Sequence, residues 1–225
     1  MLNDRHRDLE ARAARHAALG EPLRLAIVDD LVASDRSPGQ LAHRLGVGTN
    51  LLAHHLDVLS DAGLVARTPS AGDGRRRYVT LLREALGDLR LDHARPHGPM
   101  VFLCTHNSAR SQLAAALWTA RTGRQARSAG THPAAHVHRG AVAAARRAGL
   151  DLDGATPSLI GRLPQTAQIV TVCDLVHEEL EPDTHWWHWS IPDPVAAGTA
   201  AAFDAVVAEL DVRITHLLPD DGAHP

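Results

Sequence analysis

The sequence predicts two domains of different class: a mainly α unit over residues 1–97, built on a helix-turn-helix with a hairpin behind it, and an α/β three-layer unit over 98–225 with a central parallel sheet. Three observations carry this. Helical apolar patterns follow one another up to about residue 62, whereas from about residue 100 short apolar runs alternate with helical stretches. Between them lies LDHARPHGPM, 91–100, whose two prolines and glycine mark a break. At 225 residues, 44% of them hydrophobic, the chain is long enough for two modest cores.

In the first half, the spacing predicts helices over 5–19, over 22–34 from the Glu21-Pro22 start signal, over 38–45 and over 49–62. Gly46-Val47-Gly48 turns the third helix into the fourth. Leu41, Leu45, Val47, Leu52, Leu56 and Leu59 have the spacing to bury one face of this pair. The opposite face of the fourth helix then carries Thr49, Asn50, Ala53, His54 and Asp57. Small and polar side chains on the first turns of a helix suit a DNA major groove. His54 is expected on that face and His55 in the helix packing, since neighbours on a helix point apart. A strand follows Gly63, and two extended runs around Gly72-Asp73-Gly74 form a hairpin whose tip carries Arg75, Arg76 and Arg77. Alone, an arginine run is a solvated turn; behind a helix pair it suits phosphate contact.

LGEPLRLAIVDDL, QLAHRLGVGTNLLAHHLDVL and the AGLV segment with its hairpin resemble the winged helix-turn-helix of the arsenic-responsive (ArsR-type) repressors, from about His16 to Leu81. The resemblance implies a homodimer on double-stranded DNA with a roughly palindromic site, the first helix and the stretch 81–95 being dimer contacts. Residues 1–99 contain no cysteine, so the thiolate sensor of many relatives is missing.

Charge agrees with local rather than bulk DNA contact. Residues 1–98 hold 14 Arg and 13 acidic residues, the remainder 9 Arg and 13 acidic residues, and lysine is absent. No apolar run approaches a bilayer span, and the start MLNDRHRDLE lacks a signal-peptide core, so a cytoplasmic protein with no membrane contact is expected. Two cysteines do not make a disulfide framework. A catalytic or redox role therefore competes with that of buried thiols.

In the second half, VFLCTHNSARSQLAAALW, 101–118, reads as a buried strand, a short loop and a helix from Ser111. Cys104 thus sits where a strand meets a helix N-terminus. The loop Thr105, His106, Asn107, Ser108, Ala109, Arg110, Ser111 is short enough to turn its backbone N–H groups around a tetrahedral oxyanion, aided by the helix dipole. The same donors stabilise a thiolate, making Cys104 nucleophilic near neutrality. Arg110 supplies a planar fork for two oxygens, Asn107 tolerates a left-handed backbone, and Ser111 can donate to the sulfur. A second apolar run, 169–172, reads as another buried parallel strand with Cys173 immediately after it, so both sulfurs are expected at the carboxyl edge of one sheet. Trp186, Trp187 and Trp189 are expected to pack the loop that precedes Asp193.

The loop resembles that of low-molecular-weight tyrosine phosphatases and the arsenate reductases sharing their fold, over about residues 100–218. RSAGTHP, HRGAVAAARRAGLDL, AQIVTVCD and HWSIPDPV continue the match. The resemblance implies that Cys104 and Arg110 are catalytic and that Asp193 is the general acid. Arsenate or phosphate is then the oxyanion. Val195, Ala196 and Ala197 follow the Asp193-Pro194 pair where the phosphatases carry aromatic residues, which disfavours an aryl phosphate. An arsenate reductase needs a further thiol, for which Cys173 is the internal candidate; a third cysteine seven positions later is absent, since Leu180 stands there. No bound cofactor is expected, only an external low-molecular-weight thiol or glutaredoxin-like reductant. The alternatives are a phosphatase-type hydrolase and a silent oxyanion or redox sensor controlling DNA binding. The histidines of THPAAHVHRG and THWWHW match no zinc spacing, so no metal site is expected.

Overall fold

In the computed structural model the structure describes residues 2–86, 96, 98–180, 182 and 185–218. The chain divides into two compact units, one formed by Met1–Pro69 and Arg75–Asp92, the other by Ser70–Gly74 and His93–Pro225. The boundary expected at residue 97, the dimer-contact residues 87–95 and the tail 219–225 lie outside the described residues.

The first unit opens with helices α1 (Leu2–Leu19), α2 (Pro22–Ala33), α3 (Pro38–Leu45) and α4 (Thr49–Asp61). Their starts follow from capping chemistry. The Glu21 carboxylate accepts from Arg24 N at 2.9 Å ahead of Pro22. Ser37 and Gln40 satisfy each other's backbone N–H groups ahead of Pro38. Gly46, with φ 64°, ends α3 in the left-handed conformation that a side chain would resist. Leu41, Leu52, Leu56 and Leu59 are buried with Ile27, Leu31 and Val79, while Leu45 and Val47 pack at the margin. Each such leucine contributes roughly 1.5–3 kcal/mol by leaving water. Strands β1 (Val65–Pro69) and β2 (Arg77–Leu81) pair antiparallel, Val65 opposite Leu81 and Pro69 opposite Arg77. The hairpin is as expected, except that Arg77 begins the second strand rather than standing in the turn. A 3₁₀ turn, Arg83–Leu86, follows.

Among the described residues the second unit holds four parallel strands, β3 (Met100–Cys104), β4 (Arg127–Gly130), β5 (Gln168–Thr171) and β6 (Trp187–His188), in the order β4-β3-β5-β6. Helix α5 (Arg110–Thr122) joins β3 to β4, and α6 (Arg139–Arg147) lies between β4 and β5. Helix α7 (Asp174–Leu180) joins β5 to β6, and α8 (Pro194–Ala197) and α9 (Ala200–Thr215) follow. From β3 the chain moves to one side of the sheet, and from β5 to the other. Right-handed crossovers then put α5 and α7 on opposite faces and open a crevice at the carboxyl ends of β3 and β5.

Both central strands are buried throughout, as their apolar runs require. Three boundaries differ from expectation. Cys104 is the last residue of β3, α5 starts at Arg110, and Cys173 stands one residue beyond Val172, which itself follows the end of β5. The stretch HRGAVAAARRAGLDL, 138–152, is helical only as far as Arg147, because Gly149 turns the chain at φ 72°. Trp187 and Trp189 are buried and Trp186 half-buried, with Trp189 against Phe102 at 5.8 Å. No described helix is long and apolar enough to cross a membrane.

Candidate functional site

The loop after Cys104 is held open from outside. His132 N donates to the Thr105 carbonyl at 2.8 Å, Ala134 N to that of His106 at 2.9 Å and His138 N to that of Ser108 at 2.8 Å. In a trans peptide the next N–H points the opposite way, so the amides of His106, Asn107 and Ala109 turn away from this bracing segment. Asn107 takes φ 47° at the bend. Ala109 precedes α5 without any side-chain cap, which leaves the first-turn N–H groups of that helix to an anion. Gly130 makes the approach possible: a Cβ there would lie 2.5 Å from the Thr105 oxygen and 2.8 Å from that of Cys104.

Inside the loop a polar chain ends on sulfur. The Ser158 backbone N–H donates to Asn107 Oδ1 at 2.8 Å, which fixes the orientation of that amide. Asn107 Nδ2 then donates to Ser111 Oγ at 2.8 Å, and Ser111 Oγ lies 3.0 Å from Cys104 Sγ. Having accepted from Asn107, the Ser111 hydroxyl has its own hydrogen left for the sulfur. Cys104, Asn107, Ala109, Arg110 and Ser111 are buried, Thr105 and Ser108 half-buried, and His106 exposed.

The segment before α8 supplies the other wall. Arg110 Nη1 donates to the Ile191 carbonyl at 3.0 Å, and Nη2 lies 3.3 Å from Asp193 Oδ2. Asp193 Oδ1 accepts from Val195 N at 3.0 Å, so the same carboxylate caps α8. Thr105 Oγ1 is 3.5 Å from Cys173 Sγ, bringing the second thiol to the loop itself. Burial pushes the Cys173 thiol up; nearby Arg110 opposes this, and Cys104 adds to it.

Gln112, Ser158 and the bracing residues 132–138 are not singled out by the sequence. Gln112 lies in the polar first turn Arg110-Ser111-Gln112 of its helix, so its residue type does not set it apart. The histidines have other work. His138 Nδ1 accepts from Gly140 N at 3.1 Å and its ring stacks on Phe203 at 5.1 Å. His188, fully buried, donates from Nε2 to Asp174 at 3.1 Å. Among the described residues no group of three or more His, Cys, Asp or Glu could hold a metal ion.

In the first unit, Thr49, Asn50, Ala53, His54 and Asp57 form one exposed face of α4, while Leu52, His55, Leu56 and Leu59 are buried beneath it. His55 Nδ1 lies 3.5 Å from Glu21 Oε2, which ties α4 to the start of α2. Arg75, Arg76 and Arg77 are exposed.

Comparison with known proteins bears on each unit. Residues 19–68 match the model of a helix-turn-helix domain family, and residues 99–222 that of the low molecular weight phosphotyrosine protein phosphatases. Nodulation protein NolR of Rhizobium meliloti is 36% identical over 63 residues, 28% of this chain and 52% of NolR, so the chain spans about half the length of that curated relative. Among solved structures, a YwlE mutant from Bacillus subtilis has 19% identity and a TM-score of 0.47, covering 53% of this chain and 95% of its own. An arsenate reductase from Archaeoglobus fulgidus has 29% identity and a TM-score of 0.45, covering 52% and 97%. A helix-turn-helix domain thus precedes a phosphatase-family one, and because the phosphatase model spans more than half of the sequence, the chain belongs to the low molecular weight phosphotyrosine protein phosphatase family.

Proposed function

We propose that the protein is a transcriptional regulator of the arsenic-responsive (ArsR) type fused to an arsenate reductase, acting as a homodimer. In the first domain, α4 enters the major groove with Thr49, Asn50, Ala53 and His54, and the hairpin serves as a wing whose Arg75, Arg76 and Arg77 meet phosphates.

In the second domain, Cys104 is the nucleophile. Its thiolate, facing the Ser111 hydroxyl, attacks the arsenic of bound arsenate, and one arsenate oxygen leaves as water with a proton from Asp193. The product is a Cys104 sulfur–arsenic(V) adduct whose oxygens are gripped by Arg110 and the loop N–H groups. Cys173 then loses its proton and attacks the Cys104 sulfur. A Cys104–Cys173 disulfide forms, the sulfur–arsenic bonding pair stays on arsenic, and arsenite departs as arsenic(III). The two electrons come from the two thiols. An external low-molecular-weight thiol or a glutaredoxin-like protein reduces the disulfide for the next turnover.

The observation that carries this reading over ester hydrolysis is the contact of Cys173 with Thr105 of the loop. Its raised pKa supports the order of events, since Cys173 remains a thiol while Cys104 reacts first. Val195, Ala196 and Ala197 after Asp193 offer no aromatic wall for an aryl ester. Purified protein is tested with arsenate plus thiol reductants, and in parallel with an aryl phosphate. Arsenate-dependent thiol consumption is expected, abolished by Cys104→Ser and depressed by Cys173→Ser. Hydrolysis of the ester without arsenate turnover identifies a phosphatase instead.

A second reading is favoured by the missing cysteine of residues 1–99: a repressor without its own thiol sensor needs a ligand site elsewhere. The second domain then binds an oxyanion, or records thiol oxidation, without turnover and biases DNA binding. Operator affinity measured with arsenate, phosphate, arsenite and oxidant tests this. No change under any of them rejects it.

A further inference from the structure

Gln112, the third residue of α5, is buried, where an amide persists only with its hydrogen bonds made. Its Nε2 faces three oxygens: the Asn107 carbonyl at 3.2 Å, Asn107 Oδ1 at 3.1 Å and the Thr156 carbonyl at 3.2 Å. Two of them belong to Asn107, the one non-glycine residue with positive φ among the described residues. Such a backbone persists when its surroundings over-determine it. The third belongs to the stretch whose Ser158 N–H fixes the Asn107 side chain. Gln112 therefore grips Asn107 by both its backbone and its side chain, and ties it to residues 156–158. From Asn107 the contacts run on to Ser111 Oγ and Cys104 Sγ.

We propose that Gln112 is a positioning residue for the Cys104 thiolate: by holding Asn107 left-handed it keeps Asn107 Nδ2 on Ser111 Oγ, and so keeps the Ser111 hydrogen on the sulfur. The proposal rests on the reading of Cys104 as a nucleophile in an oxyanion loop. A residue that merely fills space is replaceable by methionine, which has similar length and no donors. Glutamate keeps the shape but sets a carboxylate against three oxygens, so it is expected to do more harm than methionine.

The test uses the full chain. Cys104 alkylation by iodoacetamide is followed against pH by peptide mass spectrometry, which separates Cys104 from Cys173, and arsenate binding is read from the thermal melt. Gln112→Met is expected to raise the midpoint of the alkylation profile by about one pH unit and to weaken arsenate binding about tenfold, the scale of one buried hydrogen bond. Gln112→Glu is expected to shift both further. In a Ser111→Ala background, Gln112→Met adds nothing to the midpoint, because its effect travels through Ser111. Profiles that superimpose on the parent overturn the proposal, as does an additive shift in the Ser111→Ala background. A Gln112→Met chain without a cooperative melt also overturns it, since the residue is then an element of the core. Failure of the parent chain to bind arsenate or phosphate instead defeats the oxyanion reading, and the alkylation profiles still report on Gln112.

Discussion

Ser111 Oγ stands 3.0 Å from Cys104 Sγ, at the end of a chain of hydrogen bonds that starts outside the pair. Its origin is a backbone N–H, that of Ser158, which can only donate. Asn107 accepts and then donates, and Ser111, having accepted from Asn107, keeps its own hydrogen; a Cys104 thiolate, which has none to give, accepts it. Pre-oriented donors of this kind favour the thiolate over the thiol and need no rearrangement when charge develops.

Ser111→Ala removes the last donor. A hydrogen bond to a charged group contributes about 1.5–3 kcal/mol, so alkylation of Cys104 near neutrality is expected to slow about tenfold to a hundredfold, with its pH midpoint raised. The loop itself is expected to persist, because Asn107 keeps its contacts to Ser158 and Gln112. An alkylation profile identical to that of the parent would show that the hydroxyl points elsewhere.

Much of this arrangement is written locally. Strand β3, the turn after Cys104 and α5 follow from an apolar run, a short loop and a helical repeat, and α2 and α3 from Glu21-Pro22 and Ser37-Pro38. The pairing of Arg110 with Ile191 and Asp193 is not legible from periodicity, since more than 80 residues of chain separate them. Asp193 stands out only through the family resemblance. Ser158 leaves no trace at all, because it acts through its backbone N–H, which every residue but proline possesses. The bracing of the loop by residues 132, 134 and 138 is likewise a backbone matter.

Asp193→Asn separates proton transfer from oxyanion binding. Asparagine caps a helix as well as aspartate does, so α8 is expected to keep its start at Pro194. Its amide cannot deliver a proton to a leaving alkoxide or phenolate. Loss of general acid catalysis is expected to cut any ester hydrolysis by about 10²–10⁴, while arsenate still protects the chain in a thermal melt. Loss of arsenate binding together with activity would assign Asp193 to holding Arg110 instead of to proton transfer.

Acid sensitivity is expected from Asp174, the first residue of α7. Burial by itself raises its carboxyl, but hydrogen bonds from His188, the Ala71 backbone N–H and Ser190, together with the charge of His188, outweigh burial and hold it below the usual carboxylate range. A carboxyl lowered in the folded state contributes stability that is complete above its unfolded pKa and is lost as pH falls through the folded value. Asp174→Asn is therefore expected to flatten the fall in melting temperature below about pH 5. Parallel curves for the two proteins would remove Asp174 from the account.

Salt dependence separates the two parts of the proposed DNA surface. Arginines on phosphates release counterions, so replacing Arg75, Arg76 and Arg77 by alanine is expected to lower the slope of log affinity against log salt by about one for each phosphate no longer neutralised, on specific and random DNA alike. Asn50 belongs to the exposed face of α4, where an amide can meet a base edge. Asn50→Ala is expected to leave the slope unchanged and to reduce the preference for the operator by about 1–3 kcal/mol per base pair it reads. Titrations at several salt concentrations with both DNAs separate the two. If Asn50→Ala weakens binding to random DNA as much as to the operator, α4 lies on the backbone and the sequence is read elsewhere.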